Sequence, residues 1–184
     1  MPSKARVLDA VLVVVDEQSS LMKVIWEGDR VLARTAFLIR AAILLGVPIL
    51  STAQNPERMG PIDERIAELL PGPAISKMTF SCCGAADFRS SLADSGRGQV
   101  ILAGVETHIC VGQTAVDLLG SGMEVIVCPD AVSSRSVERH KLGMERLRDS
   151  GALPLHSESV VYEWLETAEN PAFRDVLRLV KELS

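Results

Sequence analysis

Apolar positions alternate along the chain between short continuous runs and longer stretches of helical period. Val7–Val15 is a near-continuous apolar run that ends in Asp16. Such a run predicts a strand buried on both faces, as parallel sheets require. From Gly28 to Leu45 the apolar residues Val31, Leu32, Thr35, Leu38, Ile39 and Ala42 follow a helical period, and Gly46 supplies the stop. Further strands are predicted at Val47–Thr52, Ala74–Ser76, Gln99–Ala103, Glu124–Cys128 and Ala152–Leu155. Between them, helices are predicted at Ile62–Leu70, Ala86–Asp94, Ile109–Leu119 and Ser136–Ser150. Terminal helices are expected at Ser157–Leu165, with Ser157 as N-cap, and at Pro171–Leu183, with Pro171 in the first turn. Six strands alternating with helices predict a doubly wound α/β sheet in one domain, residues 1–184.

Composition narrows the classes. The chain of 184 residues is 47% hydrophobic and 23% charged, which suits one globular domain. A net charge of −5 argues against a nucleic-acid partner, whose phosphates demand a basic face. The longest apolar runs, Val11–Val15 and Ala41–Leu45, are too short to span a membrane. The opening Met1-Pro2-Ser3-Lys4-Ala5-Arg6 leads into a run that Asp9 and Asp16 bracket, without the long apolar core of a signal peptide. The four cysteines are Cys82, Cys83, Cys110 and Cys128, two of them adjacent, which fits free thiols in a reducing compartment. A cytoplasmic protein is expected. His108, His140 and His156 are scattered and no CxxC or HxH occurs, so no metal is expected.

Open α/β sheets bind ligands at the carboxyl ends of their strands. At those predicted ends stand Asp16, Gln54 with Asn55, Lys77, the run Gly104-Val105-Glu106-Thr107-His108-Ile109-Cys110, and Asp130. Cys110 opens a predicted helix, where backbone amides and the helix dipole favour a thiolate, and Lys77 would favour it too. Each residue alone has an ordinary structural explanation: a buried thiol, a capping carboxylate, a solvated lysine. Glu106, His108 and Asp130 suit capping or loop hydrogen bonds as well as a direct role. Asp16, Lys77 and Cys110 together outweigh those explanations.

Four segments carry a resemblance. Val15-Asp16-Glu17-Gln18 resembles the strand-to-D-x-Q opening of isochorismatase-like cysteine hydrolases. Lys77-Met78-Thr79-Phe80-Ser81 resembles their K-x-x-F-S segment, and Gly104-Val105-Glu106-Thr107-His108-Ile109-Cys110-Val111 their nucleophile turn. Asp130-Ala131-Val132-Ser133-Ser134 resembles the D-A-x-x-S segment, and Thr52-Ala53-Gln54-Asn55-Pro56 is similar to the T-E-Q-x-P of the short members of unassigned substrate.

The resemblance implies a Rossmann-like three-layer α/β/α fold with a six-stranded parallel sheet of order 3-2-1-4-5-6. It implies Cys110 as nucleophile, Asp16 as general base and acid, and Lys77 as the residue that orients them. A cis Val105–Glu106 peptide would bring the amides of Glu106 and Cys110 into an oxyanion hole. Gln18, Gln54 and Phe80 would touch a small-molecule substrate, with no cofactor. The chain departs from the nicotinamidases, whose metal-binding D-x-H stands where this chain has Gln54-Asn55-Pro56-Glu57. Leu21 also replaces an aromatic residue common in the family. Amide or carbamoyl C–N hydrolysis through a thioester is the expected reaction. Vinyl-ether hydrolysis without an acyl-enzyme, or a non-catalytic binding module, are the alternatives. A homo-oligomer is expected, with the apolar residues of the terminal helices available as an interface.

Overall fold

Six consecutive apolar residues make β1 (Ala10–Val15), and all six are buried. Its side chains alternate between two cores, as a strand's period of two demands. Ala10, Leu12 and Val14 join one apolar cluster; Val11, Val13 and Val15 join the other. The computed structural model describes residues 4–183. The ends of the expected domain, residues 1–3 and 184, lie outside the described residues.

After β1 come α1 (Ser19–Met22), α2 (Gly28–Leu45), β2 (Ile49–Gln54), α3 (Pro56–Met59), α4 (Glu64–Ala67) and β3 (Ile75–Lys77). A 3-10 turn at Cys82–Gly84 leads to α5 (Ala86–Asp94), β4 (Gln99–Val105), α6 (Cys110–Gly120) and β5 (Glu124–Ser133). The chain continues through α7 (Val137–Asp149), β6 (Leu153–Pro154), α8 (Ser157–Leu165) and α9 (Phe173–Glu182). The sheet order is β3-β2-β1-β4-β5-β6, and every pairing is parallel. Apolar residues of α2, α8 and α9 cover one face; those of α5, α6 and α7 cover the other. This is the three-layer α/β architecture expected from the sequence.

The chain leaves β1 toward β2 and β3, then returns to place β4 on β1's other side. A crevice opens at such a reversal of strand order, beyond the strand ends. Gly104 sets the two strand ends close together. It pairs with Val15, has φ +111°, and a Cβ there would stand 2.1 Å from the Val15 carbonyl oxygen. Only glycine fits that approach.

Several boundaries differ from the sequence reading. β5 runs past Pro129 to Ser133, because its pairing with β4 shifts register: Leu102 faces Val127, whereas Gly104 faces Val132. The residues between form an irregular stretch, the place in a sheet where proline is tolerated. α4 is far shorter than Ile62–Leu70: Asp63 caps it by accepting from Arg65 N, and Ile62 bridges to Gln18 instead. Ser157 is not the N-cap of α8. His156 holds that position, and Ser157 is the first helical residue, its N–H donating to Asp130 Oδ1 at 2.9 Å. Pro171 precedes α9, because the Asn170 side chain accepts from Ala172 N and starts the helix later. The apolar residues Leu179, Val180 and Leu183 pack against the chain's own core and stay partly exposed. Among the described residues, no helix is long and apolar enough to cross a membrane.

Candidate functional site

Asp16 is the first residue beyond β1 and turns there with φ +52°. Its Oδ1 accepts from Thr52 Oγ1 at 2.8 Å. Its Oδ2 lies 2.7 Å from Lys77 Nζ, and both side chains are fully buried. Lys77, the last residue of β3, also donates to Gln54 Oε1 at 2.7 Å and to the carbonyls of Thr79 and Phe80 at 3.2 and 3.0 Å. A buried ion pair survives desolvation only with such a full set of partners.

Cys110 opens α6 and meets the same carboxylate. Its thiol lies within the electrostatic reach of Asp16, Lys77 and Cys82. Burial first, then the Asp16 charge, push Cys110 up to about 12, with Lys77 opposing them. The helix N-terminus and Lys77, expected to favour a thiolate, meet these two opposing effects. Desolvation and the adjacent carboxylate outweigh the ammonium, so the group favours the thiol beside a carboxylate base.

The turn before Cys110 is tightly held. The Val105–Glu106 peptide is cis. The amides of Ile109 and Val111 donate back to the Glu106 carbonyl at 3.0 and 3.2 Å. The Cys110 amide stands in the first turn of α6, where N–H groups lack intrahelical acceptors. The Glu106 carboxylate turns to Arg135, accepting from its backbone N at 2.9 Å and its Nε at 3.1 Å. His108 Nδ1 shares a hydrogen bond with Ser134 Oγ at 2.9 Å, and Thr107 Oγ1 one with His140 Nδ1 at 3.0 Å. His108 and Thr107 are thus bonded within the loops around the site.

A cavity of about 290 Å³ opens above Cys110. Leu21, Met59, Phe80, Val105 and Ile109 form its apolar walls. Gln54, Asn55 and Glu106 line it as well. A larger depression of about 790 Å³, lined by Lys4, Arg6 and residues of α8, shares no residue with the Asp16–Lys77–Cys110 group.

Gln54 and Phe80 therefore reach the cavity, but Gln18 does not. It is fully buried, and its amide clamps the loop beneath: Nε2 donates to the carbonyls of Gln54 and Gly60 at 3.0 and 2.7 Å, and Oε1 accepts from Gln54 N at 2.8 Å. Both amide N–H groups are spent on backbone carbonyls, and the side chain is not part of the cavity lining. Asp130 is also displaced from the strand-end group. It lies within β5 and accepts from Ser157 N and Ser157 Oγ, with His156 Nε2 at 3.3 Å and Arg34 Nε at 3.6 Å.

Three contributors escaped the sequence reading. Thr52 stands beside Val15 in the sheet register, so the strand-end rule applied one step earlier finds it. Cys82 is fully buried with its thiol 3.6 Å from Thr52 Oγ1, and burial pushes it up to about 11. Glu17, next to Asp16, is fully buried and pushed up to about 8 by desolvation, against a hydrogen bond from Thr35 Oγ1 at 2.6 Å. A polar residue directly after a buried strand end was the available signal for Glu17. Among the described residues, no group of three or more His, Cys, Asp or Glu side chains is placed to hold a metal ion.

A model of the isochorismatase domain matches residues 10–159. Isochorismatase domain-containing protein 2A of Mus musculus is 34% identical over 177 residues, covering 94% of this chain and 83% of the mouse protein. The secreted isochorismatase effector Isc1 of Phytophthora sojae is 34% identical over 178 residues, covering 94% of this chain and 85% of its own. Among solved structures, the MAR1 ribonuclease of Caenorhabditis elegans superposes with a TM-score of 0.92 at 30% identity, covering 97% of this chain and 93% of that one. With the sheet order and strand-end group described above, these matches make the chain a member of the isochorismatase-like hydrolase family.

Proposed function

We propose that the protein is a cysteine hydrolase that cleaves a small amide or carbamoyl C–N bond through a thioester on Cys110. Asp16 accepts the thiol proton as sulfur attacks the carbonyl carbon and the C–S bond forms. The amides of Glu106 and Cys110 receive the developing oxyanion. Collapse breaks the C–N bond, and Asp16 delivers its proton to the departing amine or ammonia. Water, deprotonated by Asp16, then attacks the thioester; the acid leaves and the proton returns to sulfur. Lys77 touches no substrate in this scheme. It fixes the Asp16 carboxylate beside the thiol.

The observation that carries this reading is the Asp16 carboxylate shared between Lys77 Nζ at 2.7 Å and the Cys110 thiol, at the floor of a cavity. An ammonia-release screen over small amides, ureido acids and carbamates tests it. Cys110→Ala should lower turnover by at least about a thousandfold while the circular-dichroism spectrum stays unchanged. Undiminished ammonia release by that variant rules the scheme out.

A second reading draws on the raised Cys110. A thiol pushed up to about 12 is a poor nucleophile unless its base acts, which leaves room for vinyl-ether hydrolysis with Asp16 as the sole proton donor. Full activity of Cys110→Ser with an inactive Asp16→Ala identifies that case. RNA is not part of either reading: the net charge is −5, and none of the residues lining the cavity is cationic. Four free thiols support a reducing, cytoplasmic setting. Self-association is also part of the proposal, and sedimentation velocity would register it as a mass above 19.9 kDa.

A further inference from the structure

The walls around Cys110 restrict what can enter. Five of the lining residues are apolar, and none of the rest is a cation. Lys77 lies beneath, fully buried and committed to Asp16, Gln54 Oε1 and two backbone carbonyls. The guanidinium of Arg135 is engaged by the Glu106 carboxylate at 3.1 Å. A carboxylate entering this cavity gives up its hydration and finds no free cation in return. Glu106, part of the lining, is paired with Arg135 and offers a carboxylate no donor in its place. A neutral apolar group loses nothing on the same path and gains contact with Leu21, Met59, Phe80 and Ile109.

Size sets a second limit. The cavity of about 290 Å³ is at the low end for ligand pockets. An apolar cavity of about 150 Å³ holds benzene. There is room here for a short branched chain or one small ring beside the reacting amide.

We infer that the substrate is an uncharged amide with a compact apolar acyl group, and that amides or ureido compounds carrying a carboxylate are excluded. The word amide rests on the hydrolase reading above; the preference for an uncharged apolar group rests on the cavity alone. The two are tested apart.

Ligand-observed NMR titration of Cys110→Ala measures recognition without turnover. Isovaleramide and malonamate are the probes, because they have equal numbers of heavy atoms and differ by a carboxylate in place of an isopropyl group. Isovaleramide should bind at least about tenfold more tightly. Equal or tighter binding of malonamate overturns the inference, and so does the absence of saturable isovaleramide binding. Cys110→Ser repeats the titration should the alanine variant unfold. Phe80 is 54% exposed and tolerates a charge, so Phe80→Arg should raise malonamate affinity about tenfold. An unchanged affinity there removes the electrostatic basis of the exclusion. Ammonia release from isovaleramide by the unsubstituted protein is scored separately. Binding without any hydrolysis overturns the amidase reading and leaves the preference for an uncharged apolar ligand standing.

Discussion

Asp16 has opposite effects on the two properties of Cys110 that matter. Its charge raises the thiol, yet its carboxylate is the base that removes the proton. Asp16→Asn takes away the charge and leaves Lys77 without its counterion. The Cys110 thiol should then fall well below about 12, and ultraviolet thiolate absorbance should appear at lower pH. Turnover should nevertheless drop by at least about a hundredfold, because the asparagine neither accepts the first proton nor delivers it to the leaving group. A variant with less thiolate than the parent at pH 9 contradicts the electrostatic part of this account. One with more thiolate and full turnover contradicts the catalytic part. At this scale the sequence was informative about Asp16, Lys77 and Cys110 because each ends or follows a strand of recognisable pattern. It was uninformative about Gln18: a buried amide that ties down two carbonyls has the same letter as one that touches a ligand.

Elements whose stability is set by long apolar periodicity were readable. β1, α2 and α5 lie where the sequence puts them, give or take the first residues of β1, because burial on a fixed face leaves a period in the residue types. The four-residue helices α1 and α3 left no such period. A single turn is held by its surroundings rather than by its own residues. The start of α8 shows the same dependence on distant sequence. Ser157 was a reasonable cap by type, but Asp130, 27 residues earlier, accepts its N–H and its hydroxyl. Asp130→Ala should therefore cost about 1–3 kcal/mol in urea unfolding and speed amide exchange in the first turn of α8. Asp130→Asn, which keeps an acceptor, should lose less than half of that. Equal losses for the two variants would mean that the charge toward Arg34 and His156, not the cap, is what Asp130 supplies.

For the molecule as a whole, strand and helix alternation indicated a doubly wound sheet and the family likeness alone supplied its order; what burial does to ionisable groups needed the packed structure. Glu17 shows why. It is closed in between β1 and α2, its Oε2 meets no partner among the described residues, and desolvation pushes it up to about 8 from an unfolded value of 4.5. The folded state therefore holds the proton more tightly than the unfolded chain. The stability this group contributes is fully present below pH 4.5 and is lost progressively as pH rises to about 8, after which its effect is constant. Glu17→Gln keeps the acceptor for Thr35 Oγ1 and removes the titration. The variant's stability minus the parent's should rise with pH across that window, by up to about 1.4 kcal/mol per unit, and level off above it. The sign holds even if two unmet amide N–H groups make the variant less stable at pH 5, since the prediction concerns the slope. Urea unfolding of both proteins from pH 4 to 9 measures it. Parallel curves would mean that Glu17 titrates at the same pH folded and unfolded, which requires water or a cation to reach a carboxyl group that packing here seals off.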